Sequence, residues 1–173
     1  GNSATTTIAV DIASNLGVLC INSAGNEGDD PWYYIIAPAD ADSVISVGAV
    51  NRDGTIANFS SRGPTYDGRI KPDISGDGTS VNSTVASTDN SYGFMTGTSM
   101  SAPNVSGTLL LLQEYYNQVN GYFMKASTLK ALVCHTADDD NTVGPDPVFG
   151  WGLLNAKFCL LYTSRAHETD LNL

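Results

Sequence analysis

The sequence predicts an α/β protein with a mostly parallel sheet, and three observations carry that expectation. Short uninterrupted apolar runs bounded by turn residues, Val18–Ile21 and Val44–Val50, read as strands buried on both faces. Segments with helical apolar spacing alternate with them. The composition is that of a folded chain: 42% hydrophobic and 15% charged residues exclude a disordered segment or a coiled coil, and 17 Gly with 7 Pro imply many tight turns. A chain of 173 residues suits one domain, burying roughly 70% of its unfolded surface if it folds alone.

The elements follow in order. Ile8, Ile12 and Leu16 repeat every four residues, which predicts an amphipathic helix stopped by Gly17. Val18–Ile21 is the first strand and runs into Ser23-Ala-Gly-Asn-Glu-Gly28; Val44–Val50 is the second, and Asn51–Gly54 turns the chain after it. Residues 58–98 are rich in Gly, Ser, Asp and Asn, with short β-prone pieces such as Tyr92–Thr96. Val105, Leu109, Leu112, Tyr116 and Val119 form one continuous stripe, predicting a long helix that ends at Gly121. Shorter helices are expected near Ser127–Cys134 and Leu153–Leu161, and the polar stretch from Thr163 to Leu173 is expected to fray.

Charge and cysteines narrow the context. Eighteen acidic residues against eight basic ones give a net charge of −10, which argues against nucleic acid or an anionic membrane as partner. The apolar runs Leu109–Leu112 and Phe158–Tyr162 are too short to span a bilayer, and Gly1–Ile8 lacks the basic and apolar regions of a signal peptide. Cys20, Cys134 and Cys159 show no zinc or redox spacing and read as buried free thiols. A mechanism that needs a histidine base has only His135 and His167 to draw on.

The densest chemical signal is Gly97-Thr-Ser-Met-Ser-Ala-Pro-Asn-Val-Ser-Gly107. It places Ser99 at or just before the start of the long helix, where unpaired N–H groups and the helix dipole favour developing negative charge. Pro103 falls within the first four helical residues, whose N–H groups lack partners anyway. Gly97 would allow a ligand, and Gly107 a neighbouring helix, to approach the backbone closely. Helix capping by Ser99 explains the segment equally well. The second signal is Asn26 in Ser23–Gly28, at the strand end where active sites of open α/β sheets lie. There an amide can donate to an oxyanion, although Asn and Gly are also ordinary turn residues.

Taken together and in order, SAGNEG, SVISVGAV, NFSSRGP, KPD, GTSMSAP and the closing Phe149-Gly-Trp-Gly152-Leu-Leu-Asn-Ala156 closely resemble the subtilisin-like serine proteases, over about residues 4–160. The resemblance implies the family's three-layer fold, only partly present in this chain, and hydrolysis of peptide bonds in protein or peptide substrates. It makes Ser99 the nucleophile, and Asn26 together with the Ser99 backbone N–H the oxyanion hole. Ser23, Ala24 and Gly25 become one wall of the pocket for the side chain before the cleaved bond, with Tyr92 and Gly93 lining the cleft less directly. No cofactor is implied for the reaction. The family often binds structural calcium, and the Asp29-Asp30 and Asp40–Asp42 loops supply carboxylates, which read equally as solvated acidic loops. An extracellular or cell-envelope location is also implied.

The departures are as informative. The family's chain order is Asp, then His, then Ser. Only residues 1–25 precede Asn26, and neither partner motif is among them. His135 and His167 lie where the family never places its base, and both read as structural or solvent-facing. Asn104 stands where the family usually has a histidine that is not the base, and Gly76-Asp-Gly78 replaces a common Ala-Pro-Gly. The expectation is therefore that residues 1–162 form the C-terminal part of a catalytic domain, with a polar tail at 163–173. The upstream half of that domain becomes the needed partner, and this chain alone is expected to be inactive. The competing reading is a non-catalytic binding or scaffold domain of the same fold. A dinucleotide site at Gly76–Gly78 is disfavoured because Val81 stands where a third glycine is required. Asn58, Asn82 and Asn104 open glycosylation sequons of a length common by chance.

Overall fold

A computed structural model describes residues 3–139 and 143–170, with side chains through Ser164. The elements are α1 (Thr5–Asn15), β1 (Ile21–Ser23), β2 (Ile45–Val50), β3 (Ile74–Asp77), β4 (Val81–Thr84), β5 (Tyr92–Met95), α2 (Thr98–Asn120), α3 (Ala126–His135) and α4 (Ala156–Asp170). The α/β class with a mostly parallel sheet is present. β1, β2 and β3 lie side by side in parallel, with Ile21 opposite Ile45 and Val47 opposite Ile74. β4 and β5 form a separate antiparallel hairpin that leads the chain into α2.

β2 is buried at every position because it is central. Its residues alternate as a strand must: Ile45 and Val47 join Ile74 in one core with Ala102, Val105, Leu109 and Leu112 of α2 and Leu129, Leu132 and Val133 of α3. The opposite face, at Gly48, meets Pro72 and Ser60 from the loop between β2 and β3. The α2 stripe is buried from Val105 to Leu112, whereas Tyr116 is only partly buried and Val119 is 37% exposed. The last turns of the helix thus extend beyond the sheet. Gly121 closes α2 in the left-handed conformation, φ 79°, with its N–H on the Asn117 carbonyl.

Several expectations are corrected. β1 begins at Ile21 and is only half-buried, because its outer edge has no strand partner among the described residues. The Ile8–Ile12–Leu16 stripe of α1 faces outward, 45%, 57% and 80% exposed, while Thr7 is buried. Leu153 is not helical. It bridges Ser75 of β3 and Asp138, so residues 152–154 extend the far side of the sheet, and α4 begins only at Ala156. That helix also runs across Thr163, where the sequence suggests a polar tail. Gly107 has open space at its Cβ position and admits no neighbouring helix. Gly76 is the close approach instead: a Cβ there would lie 2.9 Å from Val105 Cγ2, which fixes Gly76–Gly78 as sheet-to-helix packing rather than a phosphate loop. Of the three free thiols only Cys159 is buried; Cys20 and Cys134 are half-buried.

A buried ion cluster ties the sheet together at its base. Asp73 accepts from Lys71 Nζ, from the Ser46 N–H (2.7 Å) and from Lys130 Nζ (3.2 Å), and both lysines also donate to the Val44 carbonyl. The cluster joins the start of β2, the approach to β3, and α3. Burial pulls the Lys71 ammonium below the usual lysine range, and the Asp73 charge opposes that pull. Removing one partner of such a pair strands a buried charge. Asp73→Ala is therefore expected to destabilise the fold by about 3–5 kcal/mol, read as a lowered urea midpoint with an unchanged slope. Burial, aided by the Asp73 charge, also pushes the Cys134 thiol up to about 11. Its alkylation by iodoacetamide, followed by mass spectrometry of the native protein, should rise about tenfold per pH unit between pH 8 and 10.

Candidate active site

The chain leaves β1 through Ser23, pairs once more with β2 (Ala24 N–H to the Val47 carbonyl, 2.9 Å), and turns at Gly25, φ 117°. The segment Asn58–Gly63 supports this turn from behind. The Gly25 carbonyl accepts from the Ser61 N–H (2.9 Å), Ser61 Oγ accepts from the Glu27 N–H (3.0 Å), and the Phe59 carbonyl accepts from the Gly28 N–H (2.8 Å). A Cβ on Gly28 would lie 2.2 Å from the Ser60 carbonyl oxygen, so only glycine fits there. These bonds leave Asn26 exposed at the tip of a rigid loop.

From the other side, β5 leads to Gly97, whose N–H bonds the Gly78 carbonyl at 2.9 Å and whose φ of 153° and ψ of 161° suit glycine alone. Gly97 is the N-cap of α2, with no side-chain cap. Ser99 is the second helical residue, exposed, and its hydroxyl makes no hydrogen bond among the described residues. The capping explanation of Ser99 is thereby set aside.

Thr98 joins the two segments. Its N–H and its hydroxyl both donate to Asn26 Oδ1 at 2.9 Å, and its Oγ1 accepts from the Gly25 N–H at 3.3 Å. Two donors converging on one oxygen settle which way the Asn26 amide points, because a flipped amide would set N–H against N–H. The consequence is chemical. Asn26 Nδ2 has no hydrogen bond among the described residues and stands beside Gly97 at the head of α2. Within the helix the first bonds are the Met100 and Ser101 N–H groups on the Gly97 carbonyl, which leaves the Ser99 N–H unpaired. An amide N–H₂, an unpaired backbone N–H and a free hydroxyl thus share one helix N-terminus, the arrangement that stabilises an oxyanion formed by attack of the hydroxyl.

The remaining expected residues are placed as follows. The Ala24 side chain is buried with Ile35 and Ala39, and Gly25 is buried, so only half-buried Ser23 and the turn's backbone are open to a ligand. Tyr92 is exposed on β5 with Gly93 beside it. His135 ends α3 and stacks edge-on against Tyr162, centroids 5.0 Å apart, in a cavity of ≈560 Å³ that also touches Tyr116 and Asn120. Tyr116 lies seventeen residues beyond Ser99, about 25 Å along α2 at 1.5 Å per residue, so His135 serves no role at Ser99. The His167 side chain lies outside the described residues. Among the described residues no group of three or more His, Cys, Asp or Glu side chains converges as a metal site. Asp40 is held by Thr7 (2.7 Å) and Asp42 faces Arg69 (3.7 Å), so the acidic loops do not fit a calcium ion. Sequence reasoning passed over Thr98 and Ser61, although both stand within the GTSM and FSSRG segments it singled out.

Thr98→Val removes the hydroxyl while keeping the shape. It should leave the Gly25 N–H unpaired and destabilise the chain by about 1–3 kcal/mol in urea titration. The Asn26 side-chain amide resonances should exchange faster with solvent in the same variant.

Residues 1–152 match the family described as Peptidase_S8, the subtilase family. A thermostable alkaline protease of Halalkalibacterium halodurans is 33% identical over 89% of this chain and 37% of its own length. Subtilisin DY of Bacillus licheniformis is 34% identical over 86% of this chain and 49% of its own. Among solved structures, a lanthipeptide protease superposes with a TM-score of 0.76 at 22% identity, covering 91% of this chain and 54% of that one. The protease domain of PatA, as its S218A mutant, gives 0.75 at 23%, covering 92% and 53%. The chain therefore spans about half, or less, of the length of the proteins it matches. With its fold, its ordered motifs and its match over residues 1–152, the chain belongs to the subtilase family of serine proteases.

Proposed function

We propose that this chain supplies the nucleophile and oxyanion hole of a serine endopeptidase that hydrolyses peptide bonds through an acyl-enzyme on Ser99. The observation that carries this reading is the Thr98 clamp, which orients Asn26 Nδ2 and leaves it free beside the unpaired Ser99 N–H. Ser99 Oγ would attack the scissile carbonyl at the head of α2, and the oxygen, as it gains charge, would be met by these two donors. They are already in place, so no reorganisation is needed as the charge forms. For the corresponding Asn of subtilisin itself, the measured loss on removing the donor is about 10²–10³ in kcat. Ser23, Ala24 and Gly25 form one wall of the pocket for the residue before the cleaved bond, chiefly through backbone, since the Ala24 side chain is buried.

A serine without a base is a poor nucleophile. No histidine side chain described here reaches Ser99, so the proposal assigns the base and its orienting carboxylate to polypeptide outside these 173 residues. In subtilisin itself, loss of the histidine lowers kcat by about as much as loss of the whole triad. Protein or peptide substrates follow from the acyl-transfer chemistry. An extracellular or cell-envelope location belongs to the proposal and leans on relatives such as the one titled extracellular basic protease, from Dichelobacter nodosus. The competing reading, a non-catalytic scaffold of the same fold, draws on the same lack of a histidine at Ser99.

A fluorophosphonate that labels activated serines separates the two. The 173-residue chain alone should show only background labelling. The chain joined by its base-bearing complement should be labelled at Ser99, with loss of the label in Ser99→Ala. A complemented protein that stays unlabelled would support the scaffold. Labelling of the chain alone at the rate of an ordinary protease would refute an external base.

A further inference from the structure

The outward apolar face of α1 and the open edge of β1 lie on one side of the molecule, and together they are unusual for a folded domain. α1 is inside out. It turns Thr7 into the protein and leaves Asp11 Oδ1 and Ser14 Oγ buried without partners, while Ile8, Ile12 and Leu16 face solvent. Val18 continues that exposed surface towards β1. Parallel sheets are ordinarily covered on both faces, and a free parallel edge offers a row of unpaired backbone groups. β3 avoids this because residues 152–154 pair along it, whereas β1 has no such neighbour among the described residues. Leu19, at the start of β1, lines two grooves of ≈280 Å³ and ≈340 Å³, the second bordered by Ile21, Leu109 and the exposed Leu110 of α2. The edge is therefore flanked by apolar surface on both sides.

We infer that this edge is the docking site of the polypeptide that completes the catalytic centre, which adds a strand parallel to β1 and lays apolar side chains over Ile8, Ile12 and Leu16. The inference rests on the catalytic reading above and says where the missing groups enter. Its geometric argument is direction. β1 runs towards Asn26, so a parallel neighbour ends at the same end of the sheet, beside Asn26 and Ser99. A histidine carried just beyond the C-terminal end of that strand is then delivered to the nucleophile. A second copy of this chain does not serve. Two β1 edges related by a two-fold axis pair antiparallel, which sends the two Asn26 loops to opposite ends and brings Ser99 no base. The size of the expected partner agrees, because solved relatives are nearly twice as long as the stretch this chain covers.

The test mixes the 173-residue chain with the segment of Subtilisin DY that lies amino-terminal to its matched region, and follows amide hydrogen exchange and fluorophosphonate labelling. Docking as inferred gives protection at residues 8–19 and at Ile21–Ser23, and Ile12→Glu weakens association about tenfold or more. Ile12 is exposed, so the variant should leave the unfolding midpoint of the chain alone unchanged, which separates a docking defect from a folding one. No association, protection confined to another surface such as the His135 cavity, or self-association of the chain that Ile12→Glu abolishes each overturns the docking inference. The catalytic reading fails separately: edge protection without Ser99 labelling keeps the dock and removes the chemistry, whereas labelling of the chain alone removes the need for an external base.

Discussion

Thr98 holds two parts of the chain, more than seventy residues apart in sequence, in one geometry. Its hydroxyl accepts from the Gly25 N–H and donates to Asn26 Oδ1, and its backbone N–H donates to the same oxygen. The turn after β1 is thereby locked to the first turn of α2. Each bond alone is modest, on the order of 1 kcal/mol net. Their joint effect is orientational: with the carbonyl end of the Asn26 amide occupied, the donor end is left for a ligand. The head of α2 is placed equally firmly, because Gly97 is anchored on Gly78 at the end of β3 and Val105 packs against Gly76.

This precision depends on the sheet below. β2 is central and wholly buried, and α2 and α3 share its core. The Asp73 carboxylate and the Val44 carbonyl satisfy two lysines where β2 begins, so the approach to β3 and α3 is tied to that strand by charge as well as by packing. Such a cluster favours one register over others at the expense of desolvation, and it lies at the opposite end of β2 from the site. The molecule thus separates a stabilising end from a reactive end, as open α/β sheets do.

Much of this is legible in the sequence, and the exceptions share a cause. β2, α2 with its Gly121 stop, and α3 follow from local apolar spacing, because the faces that pattern marks are covered by other parts of the same chain. α1 and β1 fail for the opposite reason. Periodicity reports that Ile8, Ile12 and Leu16 form a stripe, and that Val18–Ile21 is apolar, but not whether this chain covers them. Leu153 belongs to the sheet because Ser75 and Asp138 bond its backbone, a long-range pairing that helical spacing cannot reveal. At the site, Ser99 and Asn26 stand out through their motifs. Thr98 does not, since a threonine before a nucleophile carries no signal until the Asn26 amide is seen resting on it.

The central claim is that Thr98 clamps the Asn26 carbonyl oxygen and so leaves the amide N–H₂ aimed at the space beside Ser99. Hydrogen-bond scalar coupling tests it most directly. In isotope-labelled protein, a long-range amide-to-carbonyl NMR experiment should show a cross-peak from the Thr98 amide nitrogen to the Asn26 side-chain carbonyl carbon. Asn26→Asp should keep that peak, and Asn26→Ala should remove it. A Thr98 amide coupled to a different carbonyl, or to none while neighbouring helical couplings are visible, would contradict the account.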